Sequence, residues 1–207
     1  MNVFNRPTRL KSADHSIEFT LRTLDATAEI PGDIVECGVY QGEGAITIAS
    51  YLAWMGSTKH TWGFDSFEGL PDPVAADGSH PKTTRGWFSD TSQASVQGLV
   101  DHYCLSDRIT LVPGFFADSC GTVDIAAISV LVLDCDLYTS YIDALNCFYP
   151  LVSPGGVIIF DEYGRPEKYP GAKQAVDEFF ADRPEIPAEA WWHPVPAAPR
   201  WYVRRAL

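Results

Sequence analysis

The sequence contains no C-x-x-C pair, no internal repeat, no low-complexity tract and no apolar run long enough to span a bilayer. Its five cysteines, Cys37, Cys104, Cys120, Cys135 and Cys147, are odd in number and scattered, which excludes a disulfide framework or a zinc-ligand set as the organising device. The longest apolar stretches, 128–133 and 157–160, have the length of strands. Residues 1–9 carry no apolar core of the kind a signal peptide needs, so a cytoplasmic location without a membrane partner is expected. None of the five histidines has a partner at ligand spacing, and Ser119, Ser140 and Ser153 stand outside any nucleophile-elbow pattern.

Positive charge is also scarce. Fifteen Lys and Arg stand against 27 Asp and Glu, and between residues 33 and 162 there are 17 acidic side chains and only 4 basic ones. A chain so acidic repels a phosphate backbone, which argues against nucleic acid as a partner. The surplus suits a cationic small molecule, a metal ion or plain solubility.

What is present is a chain of 207 residues, 46% of them hydrophobic, enough for one globular domain over 1–207 with a sizeable core. Ile17, Leu21, Leu24 and Ala28 recur at helical spacing and predict a helix over 16–29, within an N-terminal helical segment covering 1–30. Strands at 33–39, 61–65, 109–112, 128–133 and 157–160 then alternate with helices at 44–55, 93–103, 140–149 and 172–180. Two aromatic-rich strands, near 190–194 and 200–204, close the chain as an antiparallel hairpin. The pattern is α/β: a mostly parallel seven-stranded sheet with helices on both faces and the hairpin at one edge. Residues 68–91, rich in Pro, Gly, Asp and Ser, form a loop of a length usually found in lids and substrate loops.

In such sheets ligands gather where the strands end, so the residues that follow each strand carry the functional reading. The first strand runs into Glu36-Cys37-Gly38-Val39-Tyr40-Gln41-Gly42-Glu43-Gly44. The glycine spacing is G-x-x-x-G-x-G rather than the dinucleotide G-x-G-x-x-G, and Glu36 and Glu43 would oppose a pyrophosphate. An acid here suits an ammonium group, such as that on the methionine tail of S-adenosylmethionine; an ordinary strand-to-helix turn is the other reading. The second strand ends in Asp65, placed either to accept the two hydroxyls of a ribose or to form a turn. The fourth and fifth end in Asp134-Cys135-Asp136 and Asp161-Glu162. Acids from neighbouring strands crowd together unless a hard cation such as Mg²⁺, Mn²⁺ or Ca²⁺ sits between them, the alternative being helix caps and solvent-facing side chains. Trp191, Trp192 and Trp201 pack the hairpin on the core or line a pocket.

Asp33-Ile34-Val35-Glu36-Cys37-Gly38-Val39, Gly63-Phe64-Asp65-Ser66-Phe67-Glu68-Gly69-Leu70-Pro71, Gly114-Phe115-Phe116-Ala117-Asp118-Ser119, Asp134-Cys135-Asp136-Leu137-Tyr138, Tyr149-Pro150-Leu151-Val152-Ser153-Pro154-Gly155-Gly156 and Asp161-Glu162-Tyr163 occur in that order. Together, over roughly residues 30–180, they resemble the macrocin O-methyltransferase family, enzymes that modify sugars on antibiotics. The resemblance implies a Rossmann-like class I methyltransferase fold, S-adenosylmethionine and a divalent ion such as Mg²⁺ as cofactors, a sugar-bearing natural product as substrate, and a homodimer. Carried over by position, it implies Glu36, Gly38, Tyr40, Gly42 and Gly44 at the methionine end, and Asp65 and Ser66 at the ribose. Phe116 and Ala117 fall near the adenine, with Asp118 close by. Asp134, Asp161 and Glu162 hold the metal, with Asp136 joining or replacing Asp134. Asp134 also touches the cofactor and takes the proton of the acceptor hydroxyl. Two departures stand out: the second acid of the last pair is Glu162 where the family has Asp, and Leu137 stands where catechol-type relatives carry a lysine. N-methylation of an aminoglycoside-like sugar, a dinucleotide-dependent oxidoreductase and a non-catalytic nucleoside-binding protein are the alternatives.

Overall fold

A computed structural model describes residues 14–190 and 200–207, with side chains from Ile17 onward. Helix α1 (Asp14–Ala26) leads to β1 (Asp33–Cys37), α2 (Glu43–Trp54) and β2 (Thr61–Asp65). After the long loop come α3 (Gln93–His102), β3 (Ile109–Pro113), a one-turn helix α4 (Phe116–Ser119), β4 (Ile128–Leu133) and α5 (Tyr138–Phe148). Then follow β5 (Val152–Phe160), α6 (Pro170–Phe180), β6 (Ala188–Glu189) and β7 (Trp201–Arg204).

The strands form one sheet in the order β3-β2-β1-β4-β5-β7-β6. All neighbours run parallel except β7, which is antiparallel to both β5 and β6. Every residue of β4 is buried, as expected for a central strand covered on both faces. Successive side chains alternate between those faces. Val35, Leu131, Leu133, Ile158 and Phe160 pack with Tyr141, Leu145 and Phe148 of α5 and Ala172 and Val176 of α6. Ile34, Val130, Val132, Val157 and Ile159 pack on the other side with Phe19 and Leu24 of α1 and Ile48 and Leu52 of α2. None of the described helices is long and apolar enough to cross a membrane.

The predicted elements are all found where they can be seen, with shifted edges. Strand β5 begins at Val152 rather than 157, absorbing Pro154-Gly155-Gly156 into an irregular pairing with β4. Helix α5 begins two residues early, at Tyr138. The penultimate strand is the two-residue β6, just before the predicted 190–194, most of which lies outside the described residues; its antiparallel pairing with β7 is as expected. Helix α4 and single 3₁₀ turns at 75–77 and 149–151 were not foreseen, being too short to generate a period.

The loop 68–91 is tied down at several points. Its neck is closed by Leu70 N–H to the Trp87 carbonyl and Gly86 N–H to the Leu70 carbonyl, both 2.9 Å. Near its end, the Tyr40 hydroxyl donates to Asp90 at 2.8 Å and the Thr91 hydroxyl donates to the Tyr40 carbonyl at 2.7 Å. Its middle is anchored by Asp77, which is 1% exposed. Asp77 Oδ2 accepts the Val74 N–H at 2.8 Å, and Oδ1 accepts the Tyr138 N–H at 2.7 Å. Helix α5 has no cap of its own, because Leu137 precedes it, so the loop supplies one from 61 residues away. A Cβ on Gly171 would overlap Asp77 Oδ1, so only glycine lets α6 approach this anchor.

Removing the Asp77 carboxylate strands two amide groups at once. Asp77→Ala is expected to lower stability by about 1–3 kcal/mol in urea titration, the cost of buried donors left unpaired; a loss below ~0.5 kcal/mol would show that the anchor is dispensable.

Candidate functional site

Strands β1 and β4 lie side by side, but the chain leaves β1 towards β2 on one side and β4 towards β5 on the other. This reversal opens a crevice at their carboxyl ends. Gly38, at φ 95°, closes its floor: a Cβ there would overlap the Asp134 carbonyl oxygen, so the turns after β1 and β4 touch only because the residue is glycine. Above them lies a cleft with an empty volume of about 850 Å³, its open mouth included, within the range of small-molecule sites.

One half of the cleft is built by the β1 and β2 turns. The Tyr40 N–H donates to Asp65 Oδ2 at 2.8 Å and the Phe67 N–H donates to Oδ1 at 2.7 Å. These amides fix the carboxylate and leave a lone pair on each oxygen. Glu36 lies beneath the same turn, 6% exposed. A Cβ on Gly44 would overlap its Oε1, so the α2 N-terminus packs directly on the carboxyl. Its Oε2 is buried without a hydrogen-bond partner. Burial above all, and then repulsion from Asp134 and Asp65, hold the Glu36 carboxyl well above the usual range.

The other half is an acidic rim. Asp134, Asp161 and Glu162 each bring one oxygen within 4.8 Å of the others. Two arginines balance them. Arg200 pairs with Asp161 Oδ1, and Arg165 pairs with Asp161 Oδ2 while standing 3.6 Å from Glu162 Oε1. The Tyr141 hydroxyl is 2.6 Å from Glu162 Oε2 and 3.0 Å from the Leu133 carbonyl, and donates its proton to one of them. Asp134 is exposed towards the cleft yet ringed by protein on its other sides, and loss of solvation first and Asp136 second push it up to about 6. Burial, and then Asp134 and Asp136, raise Glu162 well above its ordinary value. Asp134 and Glu162 stand within 4.8 Å of each other, oxygen to oxygen, so their titrations are coupled. Asp136, 7% exposed and at φ 60°, is hydrogen-bonded to Tyr169 instead.

Of the residues singled out from sequence, Gly38, Tyr40, Asp65, Ser66, Phe116, Asp134, Asp161 and Glu162 line this one cleft, as does Asp136. Glu36, Gly42 and Gly44 form the turn behind it, with Gly42 as the residue before α2. Ala117 and Asp118 are exposed on α4, next to Phe116. Asp136 is not one of the three converging carboxylates. Sequence reasoning missed Arg165, Arg200, Tyr141 and Tyr169. Arg165 has a weak signal, four residues after Asp161 in the turn before α6; Arg200 comes from the far end of the chain, just before β7, which pairs with β5, and has none.

A sheet in this order, with its switch-point cleft lined by acids, is the architecture of the class I S-adenosylmethionine-dependent methyltransferases. Within that class the chain belongs to the macrocin-O-methyltransferase (TylF) family, whose model matches residues 9–189. It is 32% identical over 179 residues to mycinamicin III 3''-O-methyltransferase of Micromonospora griseorubida, covering 83% of this chain and 67% of that one. It is 36% identical over 158 residues to demethyldecarbamoylnovobiocin O-methyltransferase of Streptomyces niveus, covering 73% and 59%. The chain thus spans 59–67% of the length of these relatives. The solved structure of the O-methyltransferase NovP superposes with a TM-score of 0.80 at 30% identity, covering 93% of this chain and 80% of that one. The calicheamicin methyltransferase CalS11, at 0.72 and 23%, shares the fold. The family match leaves the dinucleotide-dependent oxidoreductase without support.

The raised carboxyls set a direction for pH dependence. An acid whose pKa is higher folded than unfolded holds more protons in the folded state between the two values, so stability falls as pH rises through that window. For Asp134 the window runs from its ordinary value of 3.8 to about 6. In EDTA, the wild type is expected to lose more stability between pH 4 and 6 than Asp134→Asn; parallel pH profiles in denaturant titrations would refute this.

Proposed function

We propose that this protein transfers a methyl group from S-adenosylmethionine to a sugar hydroxyl of a glycosylated natural product, with a divalent ion on Asp134, Asp161 and Glu162. The observation that carries the reading is the convergence of those three carboxylates opposite Asp65, across a switch-point cleft, in a chain of this family. The names of the relatives, which are O-methyltransferases of mycinamicin and novobiocin precursors, support the acceptor class.

The residues present fit both cofactors. The orphaned Glu36 Oε2 is a buried acceptor under the β1 turn, and an ammonium of a methionine moiety arriving there would favour its charged form. The amide-fixed oxygens of Asp65 suit a ribose diol, and the Phe116 ring beside them suits an adenine face. On this reading Gly38, Tyr40, Gly42, Gly44 and Ser66 shape the cofactor half, with Ala117 and Asp118 at its edge. S-adenosylmethionine supplies a sulfonium-bound methyl group for in-line displacement, a step in which alignment contributes most. The three rim carboxylates are hard oxygen donors, and the lone pairs left beyond Arg165, Arg200 and Tyr141 suit a hard cation. Mg²⁺ there supplies a Lewis acid that lowers the pKa of a hydroxyl. Asp134 lies within the cleft and takes the proton of the acceptor hydroxyl; Arg165, Arg200 and Tyr141 hold Asp161 and Glu162 in place for the task.

Calorimetric titration of S-adenosylmethionine followed by Mg²⁺ tests the two halves separately. Asp65→Ala is expected to weaken S-adenosylmethionine binding by roughly 10-fold or more, the worth of a lost charge-assisted hydrogen bond, and to leave Mg²⁺ binding intact. Asp161→Ala should do the reverse and abolish methyl transfer. Full activity of Asp161→Ala in EDTA would remove the metal from the proposal, and failure of the wild type to bind S-adenosylmethionine would remove the whole.

A further inference from the structure

The turn between β4 and α5 carries two of the acids that line the cleft, Asp134 and Asp136, and it is wound unusually tightly. The Leu137 N–H donates to the Cys135 carbonyl at 2.6 Å, around Asp136 at φ 60°. A bond from i to i+2 over a residue of positive φ is the rare, strained form of the γ-turn. Strain of that kind persists only where the surroundings impose it, and it gathers where a side chain must be aimed. What is aimed here is Asp134, the residue before this turn, whose oxygen converges with those of Asp161 and Glu162.

The turn is clamped at both ends. On the strand side, the Asp134 N–H donates to the Cys37 carbonyl at 2.9 Å, and Gly38 packs against the Asp134 carbonyl. On the helix side, the Tyr138 N–H donates to Asp77 Oδ1 at 2.7 Å. Among the described residues, Asp77 is the only side chain that accepts from the backbone of 134–138. Asp77 is held in turn by its own loop, whose Val74 N–H donates to Oδ2 at 2.8 Å. Leu70 and Pro71, earlier on the same limb of that loop, line the cleft. One carboxylate thus joins the loop that borders the cleft to the turn that carries Asp134. The other half of the cleft does not depend on this tie, because Asp65 is fixed by the Tyr40 and Phe67 amides.

We infer that Asp77 is a positioning residue for methyl transfer: by accepting the Tyr138 N–H it keeps the 134–138 turn wound and Asp134 turned towards Asp161 and Glu162. The inference rests on the methyltransferase reading with its divalent ion, and adds to it a residue outside the metal's own ligands. Without the tie, Asp136 relaxes out of the left-handed region, the peptide units on either side rotate, and the Asp134 carboxylate parts from the other two. Seating of the loop and assembly of the metal site are then one event, since the loop cannot leave without releasing the turn.

The test is isothermal titration of Mg²⁺ into protein saturated with S-adenosylhomocysteine. Asp77→Ala is expected to weaken Mg²⁺ binding about 10-fold or more, the usual cost of losing a group that orients a metal ligand, with S-adenosylhomocysteine affinity within about threefold of wild type. Tyr138→Pro cuts the same bond from the other side and decides the matter if Asp77→Ala does not fold. Proline is favoured at the first position of a helix, and Leu137, at φ −106° and ψ 153°, already has the conformation that a residue before proline prefers. This variant should weaken Mg²⁺ binding to a similar degree, and the double variant no further. Glu185→Gln controls for lost stability. Its buried carboxylate is bonded to Arg205, Tyr149 and the Ala206 N–H, beside the start of β5 and away from the cleft, and its loss should leave Mg²⁺ affinity unchanged. Mg²⁺ affinity within about threefold of wild type in the folded variants, a parallel loss of S-adenosylhomocysteine affinity, losses that add in the double variant, or an equal loss in Glu185→Gln each overturns the inference and leaves the metal site standing. Failure of the wild type to bind Mg²⁺ is the separate result that defeats the metal reading and the inference with it.

Discussion

The parallel pairing of β1 with β4 is the contact on which the rest of the molecule depends. It brings together the two strands from which the chain departs in opposite directions, and so creates the crevice. Gly38 against the Asp134 carbonyl presses the two departing turns into contact. Through that contact the Asp65 side, tied to the Tyr40 amide, is held at a defined distance from the Asp161–Glu162 side, which follows β5. Methyl transfer asks for little beyond such placement. An architecture that fixes two ligand halves from the ends of adjacent strands is well suited to it.

The same geometry forces acids together. Asp134 raises the pKa of Glu36 and Glu162, Asp136 that of Asp134 and Glu162, and Asp65 that of Glu36 and Asp136, with desolvation adding to each of these shifts. Unpaired, such a group would unfold the rim. Arg165, Arg200, Tyr141 and Tyr169 answer it with two charges and two hydroxyls, leaving a site that is still short of positive charge at its centre. The acidity visible in the composition is therefore partly a local property of four strand ends.

Much of this was legible in the sequence, for a physical reason. Strands buried on both faces read as continuous apolar runs, and the residues just after them must lie at one rim, so the sequence alone gathers Asp65, Asp134, Asp161 and Glu162. The order of motifs carried the family. What escaped was everything set by contacts between distant segments. Asp77 sits in a loop without periodicity and reveals its role only beside Tyr138. Arg200 meets Asp161 only because β7 pairs with β5, 39 residues on in the chain. The two-residue β6 and one-turn α4 are too short to imprint a pattern. Glu36, legible as an acid near the cleft, proves to lie behind the turn, because the absent Cβ of Gly44 makes room for it there.

The cap that Asp77 provides to α5 divides the loop 68–91 into parts with different freedom to evolve. Its neck at Leu70, Gly86 and Trp87 and its root at Asp90 and Thr91 are bonded to the body, and Asp77 is bonded to a core helix. The stretch between Asp77 and Gly86 hydrogen-bonds only within the loop, through its own turns and Arg85 on Asp72, and buries Thr83. That stretch is a cassette: its sequence can be exchanged to suit a new acceptor, provided the segment that replaces it returns to the same neck and leaves the aspartate in place. Acceptor range in a scaffold of this kind can thus drift quickly while the half that holds the methyl donor stays constant.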